Sequence, residues 1–190
     1  MKDKLTRESV LLFEKKGFSQ TSIQDIVDAL NVTKGTFYYY FSSKEQLLMD
    51  IHLEYITDLL DRQQLILDNE ETTQKEKLTQ MIHLLIADIK DNGPYGRVFF
   101  REIRHLLNDN MDIIDQKRTK FRLNIEDVVR TGINKEEFRH NLKAEMIAFG
   151  ILGVTNWTYN WFDPEKKVTT EQLVDIYADM ILNGISNELK

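Results

Sequence analysis

Apolar residues return along this chain at intervals of three and four, and almost nowhere in strict alternation. That spacing puts them on one side of a 3.6-residue helix, so the fold class read from it is all-α. Ile23, Ile26, Val27 and Leu30 sit at i, i+3, i+4 and i+7 and form one stripe. A first helix is predicted over about residues 3–16, with Leu5, Leu12 and Phe13 facing inward and Gly17 as its stop. A second starts at Thr21 or Ser22, because Thr21 with Gln24 and Ser22 with Asp25 both have capping spacing. Thr33 is the expected N-cap of a short third helix, in which Phe37 and Phe41 share a buried face. Capping spacing recurs in Ser42–Glu45 and Ser43–Gln46, opening a long fourth helix to about residue 67.

After a polar break at residues 68–73, helices are predicted over about 74–91, from Pro94 through Leu107, and over 112–130, 142–161 and 170–187. Asn92-Gly93 and Gly132 are the expected stops, and Pro94 suits a first turn. The penultimate helix is apolar nearly all round, through Met146, Ile147, Phe149, Ile151, Leu152 and Val154. Its Ala148, Gly150 and Gly153 are small enough for close helix approach. The last helix carries Leu173, Ile176, Met180 and Gly184 on one stripe. Helices this apolar are buried on several sides, either in the chain's own core or against a second copy.

Composition narrows the chemistry. With 190 residues and 42% hydrophobic content, the chain has enough apolar material for a sizeable core. It has no cysteine, which excludes disulfides, thiolate metal sites and cysteine nucleophiles. Four scattered histidines offer no metal-ligand spacing, so neither a metal nor any other cofactor is expected. Apolar runs fall short of the roughly 18 residues of a membrane span. The opening run MKDKLTRESVLLF is broken by charges, so a signal peptide is not expected and a cytoplasmic, soluble protein is. Residues 51–190 show no nucleophile elbow, phosphate loop or supported acid pair, and an enzyme is not expected.

The net charge of −6 looks unfavourable for nucleic acid, but its distribution matters more. Seven Lys/Arg balance seven Asp/Glu over residues 1–50, so the whole excess lies on residues 51–190. A neutral head on an acidic body fits a small, focused DNA contact. Three short helices with a tight break before the third form the helix-turn-helix pattern. The third helix has the matching chemistry. Lys34 is a mobile cation, Gly35 admits close backbone approach, and Thr36 suits a base edge or a thymine methyl. Tyr38 and Tyr39 do not both fit a core this small, so at least one offers its hydroxyl to a phosphate. Lys44 is a second expected phosphate contact.

The run GFSQTSIQDIVDALNVTKGTFYYYFSSKEQL, residues 17–47, resembles the DNA-binding segment of the tetracycline-repressor family over about 30 residues. It departs at Tyr40, where the family often carries histidine. The resemblance implies DNA contacts at Thr21, Ser22, Thr33, Lys34, Gly35, Thr36, Tyr38, Tyr39 and Lys44. It also implies a DNA-binding domain over residues 1–46 and a helical effector-binding and dimerisation domain over 47–190. In the family the last two helices pair with their symmetry mates as a four-helix bundle. The expected partners are thus a double-stranded palindromic operator, a second copy and a small-molecule effector, with no membrane.

For the effector, Phe99, Arg101 and Arg104 combine an aromatic with cations, and Trp157 and Trp161 lie four apart. An apolar cavity with arginine near its mouth suits an amphipathic anion. The stretches Glu137–Leu142 and NWTYNWF resemble regulators of fatty-acid or sterol degradation, which respond to acyl-coenzyme A thioesters. The two tryptophans line either that pocket or the dimer interface. A multidrug-type sensor, with acidic residues at its pocket, and a DNA-binding protein without an effector are the other readings. His83 and His105 are expected to be surface or satisfied residues.

Overall fold

In the computed structural model, which describes residues 1–185, hydroxyl side chains set the starts of most helices. Gly17 (φ 86) ends helix α1 (Lys2–Lys16), its N–H donating to the Phe13 carbonyl at 2.8 Å. Ser22 caps α2 (Ile23–Ala29), accepting from the Asp25 N–H at 3.1 Å while its own N–H donates to Asp25 Oδ2 at 2.7 Å. Thr33 caps α3 (Lys34–Tyr40), and Ser43 accepts from the Gln46 N–H in α4 (Lys44–Asp68). Thr73 and Glu76 form a reciprocal box at the head of α5 (Gln74–Glu102). A 3₁₀ turn (Ile103–His105) leads to α6 (Asn108–Asn134), α7 (Ala144–Thr158) and α8 (Thr170–Ile185). Among the described residues there is no β-strand, and no helix is long and apolar enough to cross a membrane.

Compactness divides the chain into two units, residues 1–58 with 92–116, and residues 59–91 with those from 117 on. The breaks of this grouping fall within α4, α5 and α6. In the first unit Leu5, Val10, Phe13, Ile26, Val27, Phe37, Leu47 and Ile51 are fully buried. His52, also fully buried, faces the Leu48 and Phe99 carbonyls with its two ring nitrogens, at 2.9 and 3.2 Å. The second unit is centred on Leu78, Met81, Ile82 and Ile86 of α5, with Ile125 and Val129 of α6 and Ala148 of α7. Asp88 there is fully buried and receives the Arg62 guanidinium at 2.5 Å and the Tyr159 hydroxyl at 2.9 Å.

The helix boundaries depart from expectation in particular places. The stop at Asn92-Gly93 is a kink inside α5, where Asn92 leaves helical geometry (φ −128, ψ 22) and Pro94 follows in the next turn. Gly132 is no stop: α6 begins at Asn108, before the expected 112, and continues past 130 to Asn134. The Phe138 ring lies where a Cβ at 132 would stand, so the glycine is a slot for that side chain. The penultimate helix is shorter than 142–161, because the N–H groups of Tyr159 and Asn160 turn back to Asn156 and Trp157. The expected end of the last helix near Asn187 lies outside the described residues.

Candidate nucleic-acid interface

The turn between α2 and α3 is built from backbone rather than from glycine. Asn31 takes the left-handed conformation (φ 52) just past the Leu30 cap. Its N–H reaches the Asp28 carbonyl at 3.1 Å, and the Val32 N–H reaches the Val27 carbonyl at 2.9 Å. These are the two bonds of a Schellman termination, with asparagine in the place glycine usually holds. Thr33 then starts α3, its Oγ1 accepting from the Thr36 N–H and lying 3.2 Å from Thr36 Oγ1.

Two phenylalanines fasten α3 to the domain. Phe37 and Phe41 are 0% and 1% exposed, with ring centroids 5.6 Å apart. Their burial forces the opposite side outward: Tyr38 is 55% and Tyr39 81% exposed, and Lys34 and Gly35 are exposed beside them. A Cβ on Gly35 would meet only Thr33 Oγ1, at 3.5 Å, an ordinary contact, so nothing within the chain requires glycine there. Ser22 is exposed, with its hydroxyl on Asp25 Oδ2 at 2.6 Å. That contact, the Ser22 backbone N–H and Lys16 at 3.2 Å hold the Asp25 carboxyl down at about 2, against an ordinary value of 3.8.

Two of the residues expected to touch DNA are engaged inside the domain. Thr21 is 1% exposed and donates its hydroxyl to the Gly17 carbonyl at 2.9 Å. Lys44 donates to the carbonyls of Phe18 (2.9 Å) and Thr21 (2.7 Å), with its ammonium 4.3 Å from the Phe18 ring centre. Together they tie the loop after α1 to the first turn of α4. Asn31 and Asp25 carry structural roles that were not among the expected site residues. The signal for the first was an asparagine directly after an apolar stripe ends.

The residues expected to hold an effector fall in both units. Phe99, in the first, is 2% exposed and packs on His52 and Tyr55, with ring centres 5.2 and 5.0 Å away. Arg101 donates to Glu102 at 2.6 Å and to the Phe13 and Glu14 carbonyls, so it caps the end of α1; Arg104 is exposed. Trp157 and Trp161, in the second unit, are 67% and 50% exposed. Trp157 continues an open row on α7 with Met146, Phe149, Gly150 and Gly153, and α8 shows Ile176, Met180 and Gly184. A Cβ on any of these three glycines would meet nothing within 4 Å.

Residues 5–51 match the family described as bacterial regulatory proteins, tetR family, and residues 71–185 match the tetracyclin repressor-like C-terminal domain. The HTH-type transcriptional repressor KstR2 of Mycolicibacterium smegmatis is 25% identical over 186 residues, 97% of this chain and 90% of that protein. The solved structure of the ketosteroid transcriptional regulator KstR2 of Mycobacterium tuberculosis superposes with a TM-score of 0.91. It does so at 22% identity, over 98% of this chain and 95% of that one. The structure of AibR in complex with isovaleryl coenzyme A and operator DNA has a TM-score of 0.84 at 25% identity, over 94% and 96% of the two chains.

Proposed function

The chain belongs to the tetracycline-repressor family of bacterial regulators, and from that membership we propose that it represses transcription as a dimer on a palindromic operator and is released by an acyl-coenzyme A thioester. It is a DNA-binding transcriptional regulator, and members of its family act as dimers on DNA. The observation that carries the reading is the outer side of α3, where exposed Tyr38 and Tyr39 stand beside Lys34 and a glycine the fold itself does not need. In this reading Tyr38, Tyr39, Ser22 and Lys34 hold phosphates, while Thr33 and Thr36 meet base edges and Gly35 lets the backbone close on the duplex. Thr21 and Lys44 hold that surface in shape, and Lys44 keeps one donor for a phosphate. The work is on DNA, so the site of action is the cytoplasm.

The open rows on α7 and α8 support pairing of two copies, because the small residues allow close helix approach and the large ones supply apolar area. Two recognition helices then meet two half-sites about one helical turn apart. The acyl-coenzyme A class is supported by AibR, solved with isovaleryl coenzyme A and operator DNA. Release needs an effector that binds better to a state in which the recognition helices no longer match successive grooves, since equal affinity shifts nothing.

The test is fluorescence anisotropy of purified protein on its own upstream DNA, with and without long-chain acyl-coenzyme A at one salt concentration. Tight binding that collapses on addition of the thioester is the expected result. Binding that ignores the thioester removes the effector class, and absence of specific binding removes the operator reading.

A further inference from the structure

A cleft of about 360 Å³ opens within the first unit, between the last turn of α1 with the loop after it and the end of α5 with the 3₁₀ turn. Lys15 and Lys16 stand on one side, and Arg101, Arg104 and His105 on the other. Glu102 is the one carboxylate among the described residues lining it. It is 2% exposed and already paired, with Arg101 Nε at 2.6 Å and His105 Nε2 at 3.5 Å. Arg101 is further fixed by the Phe13 and Glu14 carbonyls, and Lys16 by Asp25 at 3.2 Å. Lys15 and Arg104 are exposed and stand in no ion pair among the described residues.

Of the four permanent cations on this concavity, Lys16 and Arg101 are offset by Asp25 and Glu102, which leaves the charges of Lys15 and Arg104 uncompensated there, in a chain whose net charge is −6. Like charges so placed repel one another unless an anion sits between them. The volume falls in the range of small-molecule sites, roughly 300–1,000 Å³. A phosphate group has the charge and the oxygen acceptors to bridge an ammonium and a guanidinium at once.

We propose that this cleft binds the phosphate groups of a small phosphorylated anion, with Lys15 and Arg104 as its principal contacts. The phosphate belongs either to the coenzyme A portion of the effector, which rests on the thioester reading above, or to a free polyphosphate.

The test is calorimetric titration of the whole protein with coenzyme A lacking an acyl chain, and separately with inorganic pyrophosphate, at fixed ionic strength. Wild type is compared with the Lys15→Gln/Arg104→Gln double variant. Both side chains are exposed, and an unchanged melting midpoint verifies the fold of the variant. The expected result is that at least one probe binds wild type and loses about a hundredfold in the variant, tenfold for each charge-assisted contact. No binding of either probe, or equal binding by both proteins, overturns the proposal. So does a variant that loses operator affinity with no anion present, which would make the cleft a DNA contact.

The acyl-coenzyme A needed to release operator separates the sources. A shift by the same factor in the variant assigns the cleft to the effector's headgroup, whereas pyrophosphate binding with unmoved release assigns it to a free polyphosphate. Should the thioester fail to release operator from wild type while the calorimetric difference persists, the effector reading falls and the cleft stands.

Discussion

Gly35 sits in an exposed helix with ordinary backbone angles and room for a methyl group. Replacing it by alanine removes the entropic cost of helical glycine, so the isolated protein should gain about 0.5–1 kcal/mol. If the backbone at 35 lies against the duplex, the same methyl should lower operator affinity about tenfold or more. Thermal melts and anisotropy on one preparation of Gly35→Ala would show the two effects moving in opposite directions; a loss of stability would assign the glycine to the fold instead. Asp25 makes a prediction about acid. Its folded carboxyl titrates at about 2, below the ordinary 3.8, so its contribution is complete above about pH 4 and disappears as pH falls through 2. An Asp25→Asn variant should melt below wild type at neutral pH, and the two should converge near pH 2. A constant gap down to that pH would mean that the Ser22 cap does not depend on charge.

Among the elements, Gly132 shows how a sequence sign can be read in the wrong register. Glycine near the end of an apolar stripe reads as a stop, yet α6 runs through it because the Phe138 ring fills the missing side chain's place. Gly132→Ala should therefore destabilise the protein by about 1–3 kcal/mol, the usual range for overpacking a core. Chemical denaturation measures this, and Phe138→Leu in the same chain should recover part of the loss. The starts of α2 and α3 were legible because a cap and its partner are three residues apart, within one local window. The arginine that caps α1 was not. Arg101 meets Phe13 across 88 positions, and no local pattern encodes a contact of that separation. The carbonyl contacts of Lys44 were hidden for the same reason, since a lysine at a helix start is tied to carbonyls 23 and 26 positions earlier. The exposed side of α3, by contrast, is nearly contiguous in sequence, so burying Phe37 and Phe41 settles which way Tyr38 and Tyr39 point.

For the molecule as a whole, the open face of α7 and α8 bears on assembly. Phe149 is 49% exposed, with the Arg122 guanidinium 4.8 Å from its ring centre. Phe149→Lys should leave the single chain folded and place an ammonium beside the Arg122 guanidinium on any helix-to-helix contact made there. Light scattering should then find monomer where wild type is dimer, and operator affinity should fall with it; an unchanged dimer would move the interface elsewhere. That face was visible in sequence only as two helices with too much apolar surface, because whether such surface turns inward or toward a partner depends on packing far along the chain. If α7 and α8 pair two copies and α3 reads DNA, the two tasks belong to different stretches of the polypeptide, and this has a genetic consequence. A copy with a ruined α3 and an intact α7 and α8 still finds partners. Made in equal amount with the normal chain and pairing at random, it leaves about one dimer in four with both reading heads whole. Lesions in Tyr38 or Tyr39 should therefore behave as dominant alleles, and lesions at Phe149 as recessive ones.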